Sequence, residues 1–165
     1  MDPLGAMKAA TTAWAVYYSD HQMVSLAVRY LHLAALVVGG GTALAIDREV
    51  LQSARAGDRD CRGAALAVLH GSHKVVVPAL TVVVVSGMLM AAADWSTFVE
   101  SRLFWIKMGT VGLLLANGAG LVAAERAYAH HGRTGAWHRL VAASGASILL
   151  WLIILWMGAW LTVAA

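Results

Sequence analysis

The sequence predicts an all-α integral membrane protein, an antiparallel bundle of four spanning helices. Three observations carry that prediction. The chain is 60% hydrophobic and 13% charged, where an ordinary soluble domain carries about 25% charged residues. Its mean hydropathy is +0.69. Four apolar stretches, at about 24–46, 64–93, 103–124 and 140–163, each reach the roughly 20 residues that a spanning helix needs. The run Val82–Val85 is rich in β-branched residues, but an open strand leaves its backbone groups unsatisfied in lipid, so it belongs to a helix. The organisation expected is an N-terminal segment, 1–22, followed by a single transmembrane domain over 23–165.

Residues 1–22 are too polar and too short to cross a bilayer. Trp14, Tyr17 and Tyr18 recur there at near-helical spacing, which suits an interfacial helix; an unstructured leader is the alternative. The first span carries Arg29 and His32 near its outer end, three residues apart and so neighbours on one helix face. Arg29 can snorkel to the surface, whereas His32 lies one turn deeper. Gly39-Gly40-Gly41 then allows close approach of another helix or of a flat cofactor.

The second span opens with His70-Gly71-Ser72-His73, which places both histidines on one face near the inner boundary. Pro78 frees a backbone carbonyl there and is expected to bend the helix. Asp94 and Trp95 form an outer turn with an aromatic anchor before the third span. Lys107 lies five residues beyond Arg102, at a depth comparable to that of His32. Asn117 lies deeper, among Gly112, Gly118 and Gly120, and is expected to hydrogen-bond between helices. The fourth span has no ionisable group in its membrane part; with Ser144, Ser147 and Trp151, Trp156 and Trp160 it reads as a packing wall.

The net charge of +3 reports orientation rather than nucleic-acid binding, because the basic residues sit beside the membrane. Arg48, Arg55, Arg59 and Arg62 lie between the first two spans and Arg126, Arg133 and Arg139 between the last two, against Arg102 alone in the intervening loop. The positive-inside rule places both long loops in the cytoplasm and both termini outside, as expected of a bacterial inner-membrane protein. No cleavable signal peptide is expected, so the first span stays in the mature chain. A single cysteine, Cys61, excludes an intrachain disulfide and reads as an inert thiol.

Seven histidines in so short a chain invite a metal or haem reading, since membrane bundles hold cofactors between inward-facing side chains and haem iron takes axial His or Met. Two layers of candidates emerge. The outer has His32, with Met88, Met90 and Met108 at similar depth and Lys107 and Arg29 as partners for carboxylates. The inner has His70 and His73, with the loop histidines His130, His131 and His138 nearby. The metal-ligand candidates are His32, His70 and His73; haem b is the cofactor this set suggests and copper the alternative. No glycine-rich phosphate loop, HExxH or nucleophile elbow is present, which disfavours nucleotide enzymes and hydrolases.

On Tyr30-Leu31-His32 followed by glycines, Pro78 with Gly87 later in the second span, and Trp105-Ile106-Lys107 opening the third, the chain resembles the HemJ-type membrane protoporphyrinogen oxidases and the related copper-resistance-D-like proteins. The likeness covers spans one to three. It implies His32 and Lys107 as the catalytic pair, b-type haem as cofactor and oxidation of a porphyrinogen as the reaction. The chain differs from those oxidases in having Ala116-Asn117 where they close the third span with an aromatic residue and a histidine. The expected function is therefore binding of haem or a porphyrin for redox chemistry or electron transfer. A non-catalytic accessory subunit of a larger membrane complex and a copper-handling protein are the rivals. Partners expected are the lipid bilayer, a quinone, porphyrin or redox protein, and other copies or subunits, with no nucleic acid.

Overall fold

A computed structural model describes the backbone of residues 3–131 and 134–164 and the side chains of 9–130 and 134–161. Among the described residues there is no strand. Helix α1 runs Pro3–Asp20. The first span, Gln22–Ala56, is built of α2 (Gln22–Ala35), one widened π-helical turn (Leu36–Gly40) and α3 (Gly41–Ala56). Then follow α4 (Arg59–Ala93), the short α5 (Trp95–Glu100), α6 (Arg102–His131) and α7 (Thr134–Ala164). Four helices are long and apolar enough to cross a membrane. Their outward faces carry large exposed apolar side chains, among them Leu33, Val37, Leu113, Leu149 and Leu152. A surface of that kind is soluble in hydrocarbon and not in water.

The helices outrun the apolar stretches. Of the segments 47–63 and 125–139, expected as long loops, residues 47–56, 59–63, 125–131 and 134–139 are helical. Between α3 and α4 only Gly57 and Asp58 remain: Gly57, at φ 74°, ends the span in the left-handed conformation that glycine adopts without strain, and Asp58 caps α4 by accepting from the Asp60 amide. Once a helix is nucleated, each added residue contributes one hydrogen bond. Here the added turns also bury side chains. Ile46, Val50, Leu69, Leu121, Ala124, Trp137 and Leu140 form the main core cluster at the end of the bundle that carries the α3–α4 connection, called the inner end after the expected orientation, and the Arg62 guanidinium lies 5.3 Å from the centre of the Trp137 ring.

The outer end is closed by α1, which packs against α4 and α2. Trp14 Nε1 donates to the Leu89 carbonyl at 2.8 Å, its ring stacks obliquely on Tyr17 and Tyr18, and the buried Tyr18 hydroxyl donates to the Ser25 carbonyl. The aromatic triplet thus docks the N-terminal helix on the bundle.

The helices pack in an open ring: α4 on α2, the π-turn and α3; α3 on α7; α7 on α6. The ring does not close by packing, because α4 and α6 do not lie against each other along their length. The first span and α4 come into close contact at Gly39, where an added Cβ would lie 2.6 Å from the Ala79 methyl. That crossing places the widened turn beside Pro78, whose ring α4 accommodates without interruption. A helix turn with an extra residue shifts the faces of the helix on either side of it. Accordingly His32, before the turn, faces α4, while Asp47, after it, faces α7. Asn117 Nδ2 donates to the Ala143 carbonyl at 2.9 Å, the helix-to-helix bond expected of it.

Gly39→Ala is expected to destabilise the protein by about 1–3 kcal/mol, the usual cost of overpacking, and Gly39→Ala with Ala79→Gly to recover most of that loss. Gly41→Ala, which meets open space, is the control. Thermal unfolding in detergent compares the three, and equal melting of Gly39→Ala and Gly41→Ala excludes the close crossing.

Candidate functional site

The outer layer is built by one residue or a pair from each span. His32 of α2 is half-buried and its Nδ1 lies 2.9 Å from Ser86 Oγ of α4. Ser86 has a single hydroxyl proton, and two carbonyls of its own helix stand ready to accept it, Val82 at 2.5 Å and Val83 at 3.2 Å. Ser86 therefore accepts, and His32 Nδ1–H donates. In the neutral ring this fixes the tautomer and leaves the Nε2 lone pair free. The ring seats against the backbone of α4 because residue 87 is glycine: a Cβ there would stand 3.3 Å from His32 Cε1.

Lys107 of α6 enters the same layer. Its ammonium lies close enough for its charge to be felt at the His32 ring, and it extends over Gly158 of α7, 3.6 Å from where a Cβ would be. Among the described residues Lys107 has no carboxylate partner; the ion pairs there are those of Glu125. The layer thus combines an imidazole with a free, oriented lone pair and a half-buried cation with no counter-charge. Such a set suits a ligand carrying both an electron-pair acceptor and an anionic group. Arg29, one turn outward from His32, is exposed.

The inner layer centres on Glu125 of α6. Its carboxylate accepts from His70 Nδ1 at 3.0 Å and from His73 Nε2 at 2.8 Å, both from α4. A carboxylate only accepts, so both of those nitrogens carry hydrogen. Glu125 is 8% exposed, against 27% for His73 and 81% for His70; the bond to His73 is the sheltered one. Deeper in the bundle, Asp47 of α3 is only 3% exposed and lies against the hydroxyls of Ser144 and Ser147 on α7.

No family model, characterised protein or solved structure matches this chain.

Of the residues singled out in the sequence, the structure brings His32 and Lys107 into one layer and His70 and His73 onto one carboxylate. Among the described residues no group of three His, Cys, Asp or Glu is disposed to hold a metal ion. His130 and His138 are exposed at the inner end, and the side chain of His131 lies outside the described residues. Met88 and Met108 face outward, while Met90 is half-buried. Cys61 is exposed and free.

Three residues of the two layers went unread in the sequence: Ser86, Glu125 and Asp47. Glu125 and Asp47 each lie one residue beyond an apolar stretch, at 124 and 46, and so counted as loop. The helical recurrence of Ile46, Val50 and Ser53, and of Leu121, Ala124 and Tyr128, was the signal that the helices continue through them. Ser86 carries no signal of its own, because serines are common in spanning helices.

Glu125→Ala strands the sheltered His73 N–H, while the His70 N–H turns to solvent, and is expected to cost about 1–3 kcal/mol. His73→Ala is expected to cost more than His70→Ala, whose ring already meets solvent. Thermal unfolding of the purified protein checks both orders, and an unchanged melting temperature in Glu125→Ala excludes the bridge as a stabilising contact.

Proposed function

We propose that this chain is an integral protein of the bacterial inner membrane that holds a b-type haem or a porphyrin between its spans and serves redox chemistry or electron transfer. The observation that carries this reading is the Ser86 bond to His32. It leaves Nε2 deprotonated and fixed in orientation, as an axial ligand requires, in the layer that also holds the unpaired Lys107 ammonium.

The donor set fits the group. His32 Nε2 would be the nitrogen offered to the iron, Ser86 holds the ring from behind, and Lys107 would supply the positive charge that a haem or porphyrin carboxylate needs in a medium of low dielectric. Haem bound there supplies one-electron redox chemistry. The chain's own part is to orient the imidazole, to neutralise a carboxylate, and to exclude water from the layer with apolar helices. The resemblance to HemJ-type oxidases, which implies His32 and Lys107 as the functional pair, supports the reading. Arg29, exposed one turn outward, is placed to meet a second carboxylate at the surface.

The absorption spectrum of protein purified from haem-replete cells tests the proposal. A Soret band with sharp α-bands on reduction is expected. His32→Ala abolishes it, and Ser86→Ala and Lys107→Gln each lower the haem retained at equal protein yield. A spectrum without a Soret band overturns the reading. Large subunits that co-purify then indicate the accessory role, and copper in the metal analysis indicates a copper-handling protein.

Topology has its own test. With both termini outside, the exposed Cys61 lies in the cytoplasm, so a membrane-impermeant maleimide is expected to leave it unlabelled in spheroplasts and to label it after permeabilisation. Labelling of intact spheroplasts reverses the orientation.

A further inference from the structure

The seam between α4 and α6 holds a cavity of about 490 Å³, bordered by α3 and α7 behind. Its two ends differ. Toward the inner side it is lined by Asp47, Ser72, His73 and Ser147; the rest is lined by aliphatic side chains, the Trp151 ring and Thr81, whose hydroxyl donates to the Val77 carbonyl of its own helix. Val77, Val85 and Leu115 line the cavity and are also exposed on the lipid-facing surface. The cavity therefore opens sideways, between two helices that do not pack on each other. A ligand reaches it from the bilayer.

The polar end can accept hydrogen bonds but has few protons to give. Ser72 Oγ donates its proton to the Leu69 carbonyl at 2.6 Å. His73 gives its Nε2 proton to Glu125, which in the neutral ring leaves Nδ1 an acceptor. Ser147 lies against Asp47. Asp47 itself is 3% exposed and has no basic partner, since the ion pairs among the described residues are those of Glu125. A carboxylate in such a place is stabilised by a group that donates hydrogen bonds and brings positive charge. The Trp151 ring, which lines the same cavity, adds apolar surface to its wall.

From this arrangement we propose that the cavity is a binding site for a lipophilic amine, an amphiphile whose ammonium group sits on Asp47 and whose apolar body lies along the aliphatic wall between α4 and α6. The site is separate from the His32 layer, and the inference does not rest on haem binding there.

Radiolabelled dodecylamine tests it with the full-length protein in lipid nanodiscs, after subtraction of empty nanodiscs. Saturable, stoichiometric binding is expected, and Asp47→Asn is expected to weaken it at least about tenfold. Dodecanol, the uncharged analogue, is expected not to saturate. Gly118→Phe is the second variant: Gly118 lines the cavity, and a Cβ added there meets nothing within 4 Å, so a phenyl ring has room to occupy the apolar part while Asp47 stays. It too is expected to remove saturable binding, with a melting temperature close to that of the parent protein. Absence of saturable binding overturns the proposal. So does saturation by dodecanol at equal affinity, or binding that survives either Asp47→Asn or Gly118→Phe in a folded protein.

Discussion

A single carboxylate holds the two sides of an open ring together. Helices α4 and α6 do not pack along their length, and among the described residues the side-chain hydrogen bonds between them are those that His70 and His73 make to Glu125. In lipid there is no hydrophobic drive to close such a seam, since a hydrocarbon tail wets an aliphatic helix as well as another helix does. Polar contacts and close packing must do it instead. At the outer end the connection is covalent and local: α5 leads straight into α6, with Trp105 Nε1 donating to the Val99 carbonyl and Phe98 against Phe104. Between these two fastenings the helices stand apart, and the cavity is the space that results.

The same economy sets the outer layer. His32 cannot leave its ring nitrogens unmatched among apolar helices, and the structure satisfies Nδ1 with a serine whose own proton is spent on its helix backbone. The consequence is chemical as well as structural, because satisfying one nitrogen in that sense defines the other as a base or ligand. Lys107 shows the complementary case. It reaches inward over a glycine, beside an imidazole, with no carboxylate to meet it. A cation held there retains an unspent capacity for an anion.

The widened turn at Leu36–Gly40 separates the two halves of the first span functionally. It sits where Gly39 presses on Ala79 and Gly40 on the Trp151 ring, so its geometry is fixed from two sides. Without the extra residue His32 and Asp47 would be presented at a different angle to each other. With it, one end of the span addresses α4 at the outer layer, and the other addresses α7 and the cavity.

Composition and hydropathy alone determined that the described residues are helical and that four helices are long and apolar enough to span, since lipid leaves so few ways to satisfy a backbone. The depth of His32 and Lys107 was legible too, because depth follows from counting residues along a helix of fixed rise. So was the shared face of His70 and His73, from a spacing of three. Only the tertiary structure decided what those faces meet. That Glu125 receives both histidines, that Ser86 fixes His32, and that Asp47 lies buried beside a cavity depend on helix rotation, on the π-turn and on turns that continue past the apolar stretches. Hydrophobicity sets where a helix enters the membrane; it says little about its rotation when every face is apolar, and rotation is settled by packing against neighbours.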